Sequence, residues 1–196
     1  EFEMPGTIDD LKAMEYELVD YLGFEKPTEK TYREWQKHYG LAEDYEMTAE
    51  EEGKMFDEFT TTLITDFPEF TSPFWNMSRY EDGVHSKKID VILGGMETIG
   101  SAERSTNVDM MRDTFHTITD GEYSQLLYKL FGKERVEAEL EEFLKFDFFD
   151  RVGGGIGMTR MIAALETLEG KEQVTNGAWI PAHDPQKDGL DAHGWE

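Results

Sequence analysis

Lys87-Lys88-Ile89-Asp90-Val91-Ile92-Leu93-Gly94-Gly95-Met96-Glu97-Thr98-Ile99-Gly100-Ser101-Ala102-Glu103-Arg104-Ser105 reads as two β-prone runs joined by a Gly-Gly step. Tight hairpin turns need positive φ at their central positions, which glycine adopts without a steric penalty. The spacing therefore predicts a hairpin in which Leu93 faces Met96 and Ile92 faces Glu97. Asp90 stands two residues before Ile92, so it shares a sheet face with Glu97 as a diagonal neighbour. Such neighbours lie about 7–8 Å apart at the backbone, close enough for two carboxylates to converge on one cation. Arg104 follows Glu97 by the same seven-residue interval that separates Glu97 from Asp90. Two acids and a base on one sheet suggest a site for a metal–phosphate complex and a carboxylate. Spacing alone leaves a solvated charged face as the commoner explanation.

The chain around this hairpin has 196 residues, enough for one domain with a full core. Apolar residues make up 38% and aromatics 13%, a composition that folds rather than one that stays disordered. With no cysteine, disulfides and thiolate metal sites are excluded. No apolar run reaches membrane-spanning length and no signal peptide opens the chain, so a cytoplasmic protein with no membrane partner is expected. The net charge of −24 repels nucleic-acid backbones unless a local basic patch overrides it. His38, His85, His116, His183 and His193 show no metal-ligand spacing.

Upstream, Thr7 is placed to cap a helix over Ile8–Leu22, with Leu11, Met14, Leu18 and Leu22 as its apolar face. A second helix is expected over Lys30–Tyr39, closed by Gly40. Its Tyr32, Trp35 and Tyr39 read as core, more often than as a stacking platform for bases. Thr48-Ala49-Glu50-Glu51 has capping-box form and opens a helix ending near Phe59. Thr61–Phe67 and Phe74–Met77 read as strands, the first stopped by Pro68. Beyond the hairpin, helices are expected over Asn107–Phe115, Glu122–Phe131 and Lys133–Leu144. Phe146–Phe149 reads as an apolar strand, followed by Gly153-Gly154-Gly155-Ile156-Gly157-Met158-Thr159-Arg160 and a helix over Met158–Leu168. The fold class expected is α+β, an antiparallel sheet flanked by helices. Residues 171–196 read as a loosely attached C-terminal tail.

The glycine run fits neither the dinucleotide fingerprint, whose third glycine would fall at Met158, nor a P-loop. Its glycines permit close approach of a ligand, and the helix start favours anions. Arg160, in the first helical turn and directed back toward the sheet, reads as a phosphate clamp.

Together these stretches resemble the catalytic domain of class II aminoacyl-tRNA synthetases, in the subclass for aspartate, asparagine and lysine. Gly153 to Arg160 is similar to that class's third motif. Asp90, Glu97 and Arg104 resemble the subclass hairpin, and Thr65-Asp66-Phe67-Pro68 with Pro73-Phe74 the stretch before it. Phe2-Glu3-Met4 looks like the closing strand of the second motif. On this resemblance residues 1–170 form a partial catalytic domain that begins inside the second motif. Asp90 and Glu97 would hold Mg²⁺ on the phosphates of ATP, and Arg160 would pair with the γ-phosphate. Gly155 and Gly157 would make room for adenosine. Arg104 would bind the substrate side chain, pointing to aspartate or asparagine, and Glu1 would lie near the substrate amino group. Glu97 and Arg160 would carry catalysis.

The resemblance further implies a homodimer formed through a first motif upstream of Glu1. An arginine of the second motif, which clamps the α-phosphate, would also lie upstream, so residues 1–196 alone are expected to be inactive. Thr159 stands where the family has an acid, and Ala178-Trp179-Ile180-Pro181 replaces the usual closing stretch. With Trp75-Asn76-Met77, these departures resemble paralogues that make asparagine from aspartate and ammonia without tRNA. The acidic charge disfavours tRNA as a partner, though it does not exclude tRNA aminoacylation. A non-catalytic amino-acid-binding paralogue is the third possibility.

Overall fold

One sheet organises residues 1–168, the part that this computed structural model describes. Its strands are β1 (Phe2–Pro5), β2 (Thr28–Thr31), β3 (Thr61–Pro68), β4 (His85–Leu93), β5 (Met96–Arg104) and β6 (Arg151–Ile156), in the order β1-β6-β5-β4-β3-β2. The helices are α1 (Ile8–Tyr21), α2 (Tyr32–His38), α3 (Ala49–Phe59), α4 (Val108–Thr117), α5 (Glu122–Phe131), α6 (Lys133–Phe143) and α7 (Met158–Leu168). The expected tail, with Ala178–Pro181, His183 and His193, lies outside the described residues. No helix among the described residues is long and apolar enough to cross a membrane.

The α+β class holds, with one change to the sheet. Four pairings are antiparallel, but β2 joins β3 in parallel through Thr28–Thr31. That strand was absent from the sequence reading because Thr-Glu-Lys-Thr is short and charged, as sheet edges often are. Thr31 then ends the strand and caps α2: its hydroxyl accepts from Glu34 N–H, while the Glu34 carboxylate accepts from Thr31 N–H at 2.8 Å. This reciprocal cap, worth about 1 kcal/mol, moves the helix start from the expected Lys30 to Tyr32.

Alternate residues of β3 and β4 divide the core between the two sheet faces. Leu63, Ile89, Val91 and Leu93 pack with Leu11 and Val19 of α1 and with Met161 and Ala164 of α7. Ile64, Phe67 and Ile92 pack on the other face with Tyr32 and Trp35 of α2 and Met55 of α3. The aromatics of α2 are thus core, and Trp35 donates its indole N–H to the Leu63 carbonyl at 3.2 Å. A third cluster gathers α4 and α6 around Trp75, with Met111, Phe115, Val136, Leu140 and Leu144.

Two expected strands are not strands. Phe74–Met77 is a turn with a single bridge from Met77 to Arg104. Trp75 leaves the sheet to meet Phe115 and Phe143 edge-on, at centroid distances of 5.4 and 5.6 Å. Phe146–Phe149 is irregular and leaves Phe146 and Phe149 exposed. The glycine run itself supplies the strand, β6, in place of the loop expected between a strand and a helix. Its position between β1 and β5 is crowded. A methyl group on Gly153 would lie 2.8 Å from the Phe2 carbonyl oxygen, and one on Gly154 would lie 2.6 Å from that of Gly100.

Candidate active site

The hairpin of β4 and β5 forms in the expected register at its turn. Gly94 and Gly95 take φ of 61° and 79°, Leu93 faces Met96, and Ile92 faces Glu97. A bulge follows, so that Val91 faces Ile99 and Asp90 faces Gly100. The turn is wedged between two helices: the side-chain position of Gly94 is 3.2 Å from Ala164 Cα of α7, and that of Gly95 is 3.5 Å from Phe56 Cβ of α3.

The bulge moves Asp90 one residue along but keeps the two carboxylates together. They converge over Gly100, where a methyl group would lie 2.5 Å from Glu97 Oε1 and 3.5 Å from Asp90 Oδ1. A side chain at Gly100 would displace the Glu97 carboxylate from this position. Asp90 is buried and its Oδ1 has no hydrogen-bond partner among the described residues. Burial pushes its pKa up from 3.8 to about 7, with Lys88 opposing that rise and Glu97 adding to it. A buried oxygen without a donor is costly, and a cation between Asp90 and Glu97 would relieve it. Magnesium takes few protein carboxylates and completes its octahedron with phosphate oxygens and water, so this donor set fits it. Among the described residues no group of three or more His, Asp or Glu is arranged to hold a metal ion by itself. Instead His38, His85 and His116 each bond a surface carboxylate.

Gly100 also borders a cavity of about 440 Å³ lined by Glu1, Glu3, Met77, Arg104, Gly154 and Gly155, among others. This is a volume suited to a small-molecule ligand. Gly155 has no atom within 4 Å of its side-chain position, which leaves the cavity wall open there. At Gly157 the space is taken by Arg160, whose Cδ lies 3.4 Å from the side-chain position. Arg160 turns back as expected and donates from Nη1 to the Glu97 carbonyl at 2.6 Å. Gly157 N–H also donates to Thr98 at 2.9 Å, tying the start of α7 to the hairpin.

Arg104 is half-buried in the cavity wall, and its guanidinium has no ion-pair or hydrogen-bond partner among the described residues. Burial holds its pKa below the ordinary arginine value, with the charges of Glu3 and Glu1 opposing and that of Arg151 reinforcing the shift. Glu3 is already engaged by Arg151 at 2.5 Å. A desolvated cation without a protein partner is poised for an anionic ligand.

Two members of the site escaped sequence reading. Lys88 stands two residues before Asp90 on the same face, and its Nζ meets Asp90 Oδ2 at 2.5 Å. Strand alternation was a sufficient signal for it. Glu52 of α3 accepts the Glu97 N–H at 2.9 Å across a separation of 45 residues, and burial raises its pKa. No local pattern could have announced that contact.

The chain covers 85% of itself on the solved asparaginyl-tRNA synthetase of Pyrococcus horikoshii complexed with asparaginyl-adenylate (TM-score 0.66, 16% identity), but only 43% of that chain. Against the Entamoeba histolytica asparaginyl-tRNA synthetase in complex with asparaginyl-adenylate the TM-score is 0.63 at 18% identity, over 83% of this chain and 42% of that one. The Entamoeba histolytica aspartyl tRNA synthetase gives 0.63 at 16% identity, over 92% and 42%. The chain thus spans less than half the length of these similar structures, and at such identities the likeness shows the fold. No protein of curated function matches the sequence. The family profile described as tRNA synthetases class II (D, K and N) matches residues 7–176. Sheet order, hairpin, glycine strand and profile agree, and the chain belongs to the class II tRNA synthetase family for D, K and N.

Proposed function

We propose that this chain forms the ATP- and amino-acid-binding part of a ligase that activates aspartate, or asparagine, as an adenylate. The observation that carries the reading is Arg104. It is a half-buried guanidinium without a protein partner, in the wall of a cavity that adjoins the Asp90–Glu97 pair across Gly100. Aspartate has two carboxylates, so one can be anchored by the planar fork of Arg104 while the other reacts. Glu1, also in the cavity wall, suits the substrate ammonium.

Asp90 and Glu97 would hold Mg²⁺, which supplies charge neutralisation for the phosphates. Arg160 commits one donor to the Glu97 carbonyl and keeps others for the γ-phosphate. The open side of Gly155 and the start of α7 beside Gly157 suit adenosine. A carboxylate oxygen of the substrate attacks the α-phosphorus, pyrophosphate leaves, and the acyl-adenylate remains. The protein's contribution is positioning and electrostatic stabilisation.

For the acceptor we propose ammonia: aspartate is adenylated on its β-carboxylate while Arg104 holds the α-carboxylate, and ammonia attacks the β-acyl carbon, loses a proton, expels AMP and gives asparagine. The net charge of −24 supports this over tRNA, because a polyanion gains affinity from basic surface. The test uses the protein that carries this chain: ATP–pyrophosphate exchange with aspartate and with asparagine, then product analysis with ammonia or with tRNA. Asparagine formed without tRNA supports the reading. Aminoacyl-tRNA as the product overturns the acceptor, and absence of exchange with either amino acid overturns the activity.

A further inference from the structure

Among the described residues Lys88 is the one ammonium bonded to the Asp90–Glu97 pair. Its Nζ bonds Asp90 Oδ2 at 2.5 Å and lies 3.8 Å above the Phe67 ring. The other oxygen of Asp90 is buried and without a partner, and it faces the space over Gly100 that Glu97 enters. Glu52 adds a third carboxylate against the same backbone. Arg160, the nearby second cation, spends its bond on the Glu97 carbonyl and bonds neither Asp90 nor the Glu97 carboxylate. Of three neighbouring carboxylates Lys88 thus bonds only Asp90, at Oδ2, and leaves Oδ1 without a partner among the described residues.

Resting on the reading of Asp90 and Glu97 as metal ligands, we propose that Lys88 is the displaceable counter-ion of this site. In the free protein it neutralises Asp90 through Oδ2 in place of a divalent cation, and a cation seated between Oδ1 and Glu97 drives it away by charge repulsion. Lysine suits such a part. Its ammonium is a point charge on a flexible stem, and the side chain is 21% exposed, so it has a path to solvent. An arginine fork would be harder to dislodge. The consequence is an order of events. Metal alone meets a site whose charge Lys88 already offsets and binds weakly, whereas a metal–nucleotide complex would bring phosphate oxygens that can receive the released ammonium. The apparent affinity for bare metal is reduced by the fraction of molecules in which Lys88 has left.

The experiment measures Mn²⁺ binding without nucleotide, by the electron paramagnetic resonance signal of free Mn²⁺, at pH 8.5 where protons compete least. Lys88→Met is expected to bind Mn²⁺ about tenfold more tightly than the unmodified protein, and Lys88→Arg no more tightly. Adding Glu97→Gln to Lys88→Met is expected to abolish the gain, which locates the ion on the hairpin. A purely structural ion pair predicts loss or no change on Lys88→Met. Equal Mn²⁺ affinity in Lys88→Met and unmodified protein, with both binding Mn²⁺ when ATP is added, overturns the role of Lys88 and leaves the metal site standing. No Mn²⁺ binding in any variant, with or without ATP, overturns both. A gain that survives Glu97→Gln overturns the displacement. Far-ultraviolet circular dichroism and thermal melts confirm that each variant is folded before titration.

Discussion

Glu15 allows a stability experiment that does not depend on catalysis. It sits between Leu11 and Val19 on the buried line of α1, with no exposure, although the expected apolar face is Leu11, Met14, Leu18 and Leu22. Ser101 donates to its Oε1 at 2.5 Å, and Oε2 has no partner among the described residues. Burial raises its pKa from 4.5 to about 8, the Ser101 bond opposes that rise, and repulsion from Asp90 adds to it. The folded state therefore keeps a proton that the unfolded chain releases above pH 4.5. Stability falls as pH rises from 4.5 and stops falling on this account near pH 8. At about 1.36 kcal/mol per pH unit the full loss is about 4–5 kcal/mol, a large part of a typical domain's stability. Glu15→Gln keeps the shape and the Ser101 acceptor but removes the charge. Urea unfolding followed by tryptophan fluorescence should find the two proteins within about 1 kcal/mol at pH 5. At pH 8 the variant should be more stable by about 3–5 kcal/mol. The high net charge adds its own pH dependence, but equally to both proteins, so the difference isolates Glu15. Parallel stability curves between pH 5 and pH 8 would refute the reasoning.

The remaining predictions concern the cavity and its supports. Gly154→Ala, with backbone 2.6 Å from the new methyl group, should lose about 1–3 kcal/mol of stability in urea. Gly155→Ala, with nothing within 4 Å, should fold normally and weaken only nucleotide binding, measured by calorimetry; equal stability losses would contradict this division. Arg104→Leu should weaken aspartate binding about 10–100-fold, the worth of charge-assisted hydrogen bonds, with nucleotide affinity nearly unchanged. Aspartate-dependent exchange at normal KM would remove Arg104 from the substrate site. Trp75→Ala should cost about 3–5 kcal/mol, read from the urea midpoint, because Trp75 is the centre of the α4–α6 cluster.

Much of this protein follows from patterns a few residues long. The Gly94-Gly95 turn needs positive φ, and no distant contact is required to know it. The helices over residues 8–21, 49–59, 122–131 and 158–168 follow from caps and periodicity, which are local interactions. Alternation along β4 and β5 was enough to bring Asp90 and Glu97 to one face, because side-chain direction in a strand has period two. Arg160 follows in the same way from its place in the first turn of α7.

The tertiary structure decided the rest, for reasons that local rules do not contain. Glycines have no propensity for a strand, and Gly153–Gly155 become one because only residues without side chains fit between β1 and β5. Trp75 left its expected strand because Phe115 and Phe143, far along the chain, offered a better burial. Glu15 became part of the buried line of α1, outside the expected face of Leu11, Met14, Leu18 and Leu22, because the helix packs so that Ser101 of the sheet meets it there. Glu52 reaches the hairpin from a helix 45 residues away. Local spacing determined that Asp90 and Glu97 share a face and that Arg160 turns back to the hairpin. The packing of helices against one sheet decided that the carboxylates converge over Gly100 beside the cavity, that Lys88 holds Asp90, and that Arg104 is left with no partner among the described residues.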